Sequence, residues 1–304
     1  MGMSLKSIFI FFCVFILTIG CKKEDPVPTV TTQNNVIRPG DIVVVNMASD
    51  SLILLDSNGN YKQVLLDLDN IGESFYEVAF KKDTNEIMFT INGSPRVGAI
   101  SVVTGTYRTL ISDANLTGAL RGLTQLSNGD ILVSEAANVE RFTSAGVRRT
   151  LVSGVVWPNT LGATANPEQL YATANGEFVV CGSANAKRFT VNAVQVGSTM
   201  TLGGTPQAYG CIELDDGSIA LSYNGTTDQI RVANATLTSS TQLYLDPAVM
   251  GSPRTLTKTL SGNILAVDSV FNQIVEITRT GTFVRTLGGS LLGTPNAVFS
   301  VPNY

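Results

Sequence analysis

"LSNGDILVSEAANVERFTSAG" occupies residues 126–146, and "TANGEFVVCGSANAKRFTVNA" occupies residues 173–193, 47 positions later. The NG, the apolar run, the AN and the RFT recur in register. Asn-Gly tolerates positive φ and marks a tight hairpin turn. The apolar run after it is four to five residues long, which reads as a short strand, and RFT falls on the strand after that. A single such unit has no partner for its second face; a repeated unit finds one in its neighbour.

The pattern extends in both directions. The first apolar residue after each turn is Ile42, Ile87, Ile131, Phe178, Ile219 and Ile264, at intervals of 45, 44, 47, 41 and 45. Periods of this size belong to propellers and repeat arrays. Each unit repeats one order of parts. A strand leads to a turn such as Asn128-Gly129, Asn175-Gly176 or Asp216-Gly217, and an apolar strand follows. A third strand comes next ("QIVEIT" from Gln273, "QIRVA" from Gln229). A Gly-containing turn then leads to a fourth ("FVRTL" from Phe283, "YKQVLL" from Tyr61). Four short antiparallel strands in about 44 residues make one propeller blade. No stretch beyond residue 21 keeps a helical period over ten residues, so almost no helix is expected.

The chain ends predict how the ring closes. The last stretch, "GTPNAVFSVPNY", matches the lead-in to earlier first strands, "GGTPQAYGCIEL" from Gly203 and "GSPRTLTKTL" from Gly251. It is a first strand with no blade behind it. "DIVVV" at Asp41 is a second strand with no first strand before it. Each supplies what the other lacks, and pairing them removes two exposed edges. The expected fold is all-β: a six-bladed β-propeller over residues 41–304, with four-stranded antiparallel blades and a C-terminal strand closing the first blade.

The Pro-led first strands (Pro206, Pro253, Pro295), the NG-x-apolar turns and "FNQIVEITRTGTFVRTL" from Phe271 resemble the NHL-type six-bladed propellers and their gluconolactonase-like relatives. The resemblance covers essentially all of residues 41–304. It implies the fold more than the function, because propellers host many chemistries. The gluconolactonase group holds calcium at the channel mouth, so the resemblance implies a calcium-dependent lactonase-like hydrolase as one reading. Only Glu77, Asn224 and Asp268 are loosely placed for that metal.

Residues 1–20 are of another kind. One Lys precedes an apolar stretch from Ile8 to Ile19, too short for a comfortable membrane span and suited to a secretory signal. "LTIGC" resembles a bacterial lipobox, which makes Cys21 the lipidated residue; Leu17 stands four places before it rather than three. Acyl chains such as palmitate on that Cys give a stable membrane anchor. Residues 21–40 read as a disordered Pro/Thr/Asn-rich tether. "KKED" after Cys21 resembles a surface-export signal of Bacteroidota lipoproteins. The expected location is the outer membrane, on its periplasmic or cell-surface side.

Composition excludes several functions. The chain has 304 residues, 14% charged, and a net charge of −4. No basic cluster is present to neutralise phosphates, so nucleic acid is not an expected partner. There is no histidine, which removes Ser-His-Asp and Cys-His catalysis and His metal sites. Cys181 and Cys211 remain beyond the signal and lipid cysteines, either as buried thiols or as a disulfide.

Four or five places past each second-strand start lie Asn46, Asn92, Glu135, Asn224 and Asp268, with Gly182-Ser183 in the fourth unit. The first strands add Glu77, Arg121, Glu168, Tyr209 and Arg254. These residues form the candidate channel face, either as a ligand or protein-docking ring or as turn formers and solvated polar groups. Arg141-Phe142 and Arg188-Phe189 pack between blades or form a docking stripe. Trp157, in the longest link between blades, is a core cap or a partner anchor. The favoured expectation is a monomeric lipoprotein that binds a protein, peptide or glycan without catalysis and without a required cofactor. The calcium-dependent hydrolase is the alternative, and a purely structural envelope role is a third reading.

Overall fold

In a computed structural model the described residues are 36–69, 72–152, 155–156, 166–182, 185–201, 208–225 and 227–304. Cys21, Trp157, Ser183 and Pro206 lie outside them. Six sheets stand around one axis, each led by an inner strand. In blades 2 to 6 the inner strands are Ser74–Lys81, Leu120–Gln125, Pro167–Ala172, Cys211–Glu213 and Pro253–Lys258. In blade 1 the inner strand is the C-terminal one, Pro295–Ser300. It pairs antiparallel with Ile42–Asn46 in the register Ile42↔Ser300 to Val45↔Ala297. The ring therefore closes between the two ends of the propeller, as the lead-in pattern predicts. Among the described residues the complete helical elements are two 3-10 turns, Met47–Ser49 and Gly289–Leu291.

Five blades have four regular strands. In the third, three regular strands are followed by a single bridge, Phe142↔Arg148, in the outer position. The chain there turns into a separate ribbon, Leu151–Val152 against Val155–Val156, at the start of the longest inter-blade link.

The core lies between the blades. Six apolar clusters occupy the six interfaces. Phe75 and Phe89 meet edge to face at 5.3 Å in the interface of blades 1 and 2. Alternation along each strand sends successive side chains to opposite neighbours. The RFT repeat shows this directly. Phe142 faces the preceding blade and Phe189 stacks on Phe178 at 5.4 Å. The arginines face the following blade. Arg141 bonds Asp130 and donates to Val191 O at 2.6 Å. Arg188 bonds Glu177 and Glu213 and donates to Ala235 O at 3.0 Å. Both arginines are buried. The recurring Arg-Phe pair is an inter-blade staple, not an exposed stripe.

Inner strands approach closely where side chains are absent. A Cβ on Gly122 would lie 2.8 Å from Leu170 N, and one on Gly210 2.5 Å from Arg254 O. Glycine at these positions lets adjacent inner strands touch, which narrows the channel.

Candidate functional site

The inner strands share a local irregularity. Their ladders with the second strands slip at Phe75/Val78, Leu120/Leu123, Pro167/Gln169 and Pro253/Leu256, and at Val45/Asn46 opposite Asn296. A bulge bends a strand and re-aims its side chains. In five blades it aims one residue into the channel, and in blade 5 Tyr209, just before the inner strand, holds the same place: Asn296, Tyr76, Arg121, Glu168, Tyr209 and Arg254 in ring order. The freed N–H groups are met by hydroxyls on the second strands. Glu77 N donates to Thr90 Oγ1 at 3.0 Å, Gly122 N to Ser134 Oγ at 2.6 Å, and Gly210 N to Ser222 Oγ at 2.6 Å. Thr90 and Ser134 in turn donate to carbonyls of the next blade, Arg121 O and Pro167 O.

The six ring residues form one network. Tyr76 donates its hydroxyl to Glu168 Oε2 at 2.6 Å, and the Arg121 guanidinium bonds Glu168 Oε1. Arg121 lies over the Tyr76 ring, 5.4 Å from its centroid. Arg254 lies over the Tyr209 ring at 5.2 Å and donates to Asn296 Oδ1 at 2.8 Å. Asn296 Nδ2 donates to Tyr76 O at 2.7 Å. Burial, then the Glu168 carboxylate, pushes the Tyr76 phenol up, so it acts as a donor rather than a phenolate. Five of the ring residues, with Thr255, line a hollow of about 10 Å³, about one water. Beneath it Gln169 spans three blades, donating to Leu256 O at 3.1 Å and accepting from Cys211 N at 2.8 Å.

The ring is electrically asymmetric. Arg121 is matched by Glu168. Arg254 faces an amide and an aromatic ring, and its buried Nε has no hydrogen-bond partner. The result is a closed platform of two tyrosines and two arginines with one guanidinium not matched by a carboxylate.

Four candidate residues thus meet here: Arg121, Glu168, Tyr209 and Arg254. Glu77 lies one residue further along its strand. It is buried; its Oε1 accepts from Val78 N at 3.0 Å, and its Oε2 has no partner. Burial first, and the Glu168 charge second, hold its carboxyl well above the usual range. Two ring members, Tyr76 and Asn296, were absent from the sequence-based set. Alignment of the first strands on their apolar ends (FYEV, LRGL, PEQL, AYGC, PRTL, PNAV) places both in the column of Arg121 and Arg254.

The second-strand ends do something else. Asn46 Oδ1 accepts from Gly293 N and Thr294 N at 3.1 and 3.0 Å. Asn92 Oδ1 accepts from Leu120 N at 2.7 Å. Glu135 Oε1 accepts from the N–H groups of Thr117 and Gly118. Asn224 donates to Ser252 Oγ. Asp268 accepts from the N–H groups of Gly251, Ser252, Val270 and Phe271. Each of these residues clamps a segment entering an inner strand.

This bears on the calcium set. Calcium needs six to eight oxygen ligands. Asp268 is ringed by donors, Asn224 turns its amide nitrogen to Ser252, and Glu77 sits apart in blade 2 with its carboxyl held toward the neutral form. Among the described residues no three His, Cys, Asp or Glu side chains gather to hold a metal. The donor set does not fit a calcium ion.

Comparison with known proteins supports the architecture. No protein-family model matches this chain, and no curated protein matches it. Solved structures do. One chain of a nidogen/laminin complex aligns with a TM-score of 0.67 at 14% identity, covering 85% of this chain and 97% of that one. A streptogramin B lyase aligns at 0.63 and 17% identity, covering 86% and 83%. A Bacteroides caccae protein of unknown function aligns at 0.61 and 16% identity, covering 88% and 100%. At these identities the likeness is one of fold.

Proposed function

We propose that this protein is a membrane-anchored docking propeller, tethered through lipid on Cys21, whose channel platform captures a protein, peptide or glycan partner without catalysis. The observation that carries this reading is the closed ring of Tyr76, Arg121, Glu168, Tyr209, Arg254 and Asn296. Its hollow of about 10 Å³ is far below the roughly 300–1,000 Å³ of small-molecule pockets. A partner therefore rests on the platform rather than entering it. Tyr and Arg are the residue types that most often carry interface energy. Arg254 favours an acidic group on the partner, because its charge is not matched by a carboxylate. A structural neighbour occurs in a nidogen/laminin complex, which supports docking as a use of this architecture.

The test is photocrosslinking on whole cells, with the reactive group placed at Tyr209. A discrete crosslinked partner that disappears with Arg254→Ala, at unchanged thermal stability, is the expected result. Crosslinking that is indifferent to Arg254→Ala would remove the platform from the reading. Cys21→Ala should release the protein from membranes and abolish incorporation of a palmitate analogue.

A further inference from the structure

The channel has a second end. Below Gln169 the inner strands run on to their turns, and they enclose a cavity of about 240 Å³. Its wall is mostly apolar, with Val78, Phe80, Leu123, Leu256, Val298 and Phe299 around it. Phe80 and Phe299 lie parallel, 6.0 Å between centroids. Two observations mark it as more than a packing gap. Ser300 is 95% buried (5% exposed) in its wall, and its Oγ has no hydrogen-bond partner. A buried hydroxyl without a partner is costly, and a ligand oxygen relieves that cost. At the mouth stand Lys258, held by exposed Asp215 at 2.6 Å, and Lys82, which is exposed and makes no ion pair among the described residues. Lys82 also borders the two neighbouring hollows of about 560 and 320 Å³, so the mouth is continuous with open surface on that side.

Apolar walls, a few convergent polar groups and a cation at the rim are the features of a small-molecule site. The volume lies just under the usual range for drug-sized ligands, so the occupant is small. We infer that this lower cavity binds a small amphiphile with an apolar body and one anionic head, such as a medium-chain carboxylate, its chain between the inner strands and its head at the mouth, where it accepts from the Ser300 hydroxyl and pairs with Lys82. The site is separated from the upper platform by Gln169 and the closed ring, so it is independent of the docking reading.

The probe is octanoate, with 1-octanol and octyltrimethylammonium as neutral and cationic counterparts, titrated calorimetrically into the purified protein. The expected result is one saturable octanoate site with Kd below about 1 mM, and binding at least tenfold weaker for both counterparts. Ala172→Phe narrows the mouth and should abolish binding. Lys82→Ala, on the surface and safe for folding, should weaken octanoate at least tenfold and leave octanol unchanged. Absence of octanoate binding overturns the inference. So does octanoate binding no tighter than octanol, or binding that persists in a folded Ala172→Phe variant. Should Ala172→Phe fail to fold, Lys82→Ala decides alone: an unchanged octanoate Kd overturns the site.

Discussion

Glu77 brings a carboxyl group into the wall of the channel and leaves its Oε2 without a partner. Its pKa stands well above the usual value of 4.5 because burial disfavours the charged form. The consequence for stability has a definite sign. Below about pH 4.5 the group is protonated whether the chain is folded or not. As pH rises through that value the unfolded chain ionises while the folded one stays protonated. The folded state then binds more protons, so its stability falls with pH until the raised folded pKa is passed. One proton corresponds to roughly 1.4 kcal/mol per pH unit in that window. Glu77→Gln removes the penalty. Its melting temperature should match the parent near pH 4 and exceed it by a margin that grows as pH rises above that, until the raised folded pKa is passed. Parallel curves for the two proteins would show that Glu77 ionises freely in the fold. Cys181 and Cys211 make a second residue-scale case. Both are buried free thiols, and burial, with Cys211 beside it, pushes the Cys181 thiol up. Neither should react with iodoacetamide in the native state, and both should react in denaturant. A denatured chain that stays unreactive at both positions, until a reductant is added, would mean that they are paired.

At the scale of the element, the clamps at the ends of five second strands explain why polar residues recur there. Asp268 is fully buried and takes N–H groups from both sides of its strand end. Asp268→Ala leaves those donors without an acceptor, and the loss should be about 3 kcal/mol. It is readable as a lower urea midpoint at unchanged slope. The loss should be the same with calcium or with excess chelator; a calcium-dependent difference would restore a metal to this strand end. These clamps also show what was legible beforehand and what was not. The strands were readable because Asn128-Gly129, Asn175-Gly176 and Asp216-Gly217 announce hairpins and the flanking runs are apolar. The place of Asn46, Asn92, Glu135, Asn224 and Asp268 at the ends of the second strands was readable from register. Their role was not, because a sequence does not show which backbone donors will take a side chain's lone pairs. The same limit moved the ring by one residue. Glu77 is the residue of that strand named from the sequence, but the bulge between Phe75 and Val78 turns Tyr76 into the channel beside Glu168. In the third blade the outer position is held by the Phe142↔Arg148 bridge alone, because the link after Arg148 diverts the chain into its own ribbon.

At the scale of the whole molecule, closure is the interaction that no single blade contains. The last strand lies against the first blade, and the ends of the propeller are bonded directly. Gly40 N donates to Val301 O and Val301 N to Asp41 O, both at 2.8 Å, and the Tyr304 hydroxyl donates to Ile37 O at 2.7 Å. Pro295–Ser300 also supplies Asn296 to the platform and Val298 to the interface of blades 6 and 1. Without it the edge of Ile42–Asn46 is open for pairing with another chain, which is the usual route to aggregation. A chain ending at residue 292 should therefore lose its single cooperative transition and associate, and a peptide of residues 293–304 added in trans should restore a soluble monomer. Circular permutation separates the closing contact from the chain ends themselves. Joining residue 304 to residue 36 by a short Gly-Ser linker, and opening the exposed turn at Thr104-Gly105, keeps every ladder intact while moving the termini to blade 2. That protein should unfold in one transition within about 1–2 kcal/mol of the parent, since lengthening a surface loop costs little. If the permutant is stable but its version lacking residues 293–304 is equally so, closure is not what holds the ring. A large loss confined to the second version would place the ring's cooperativity in that one strand.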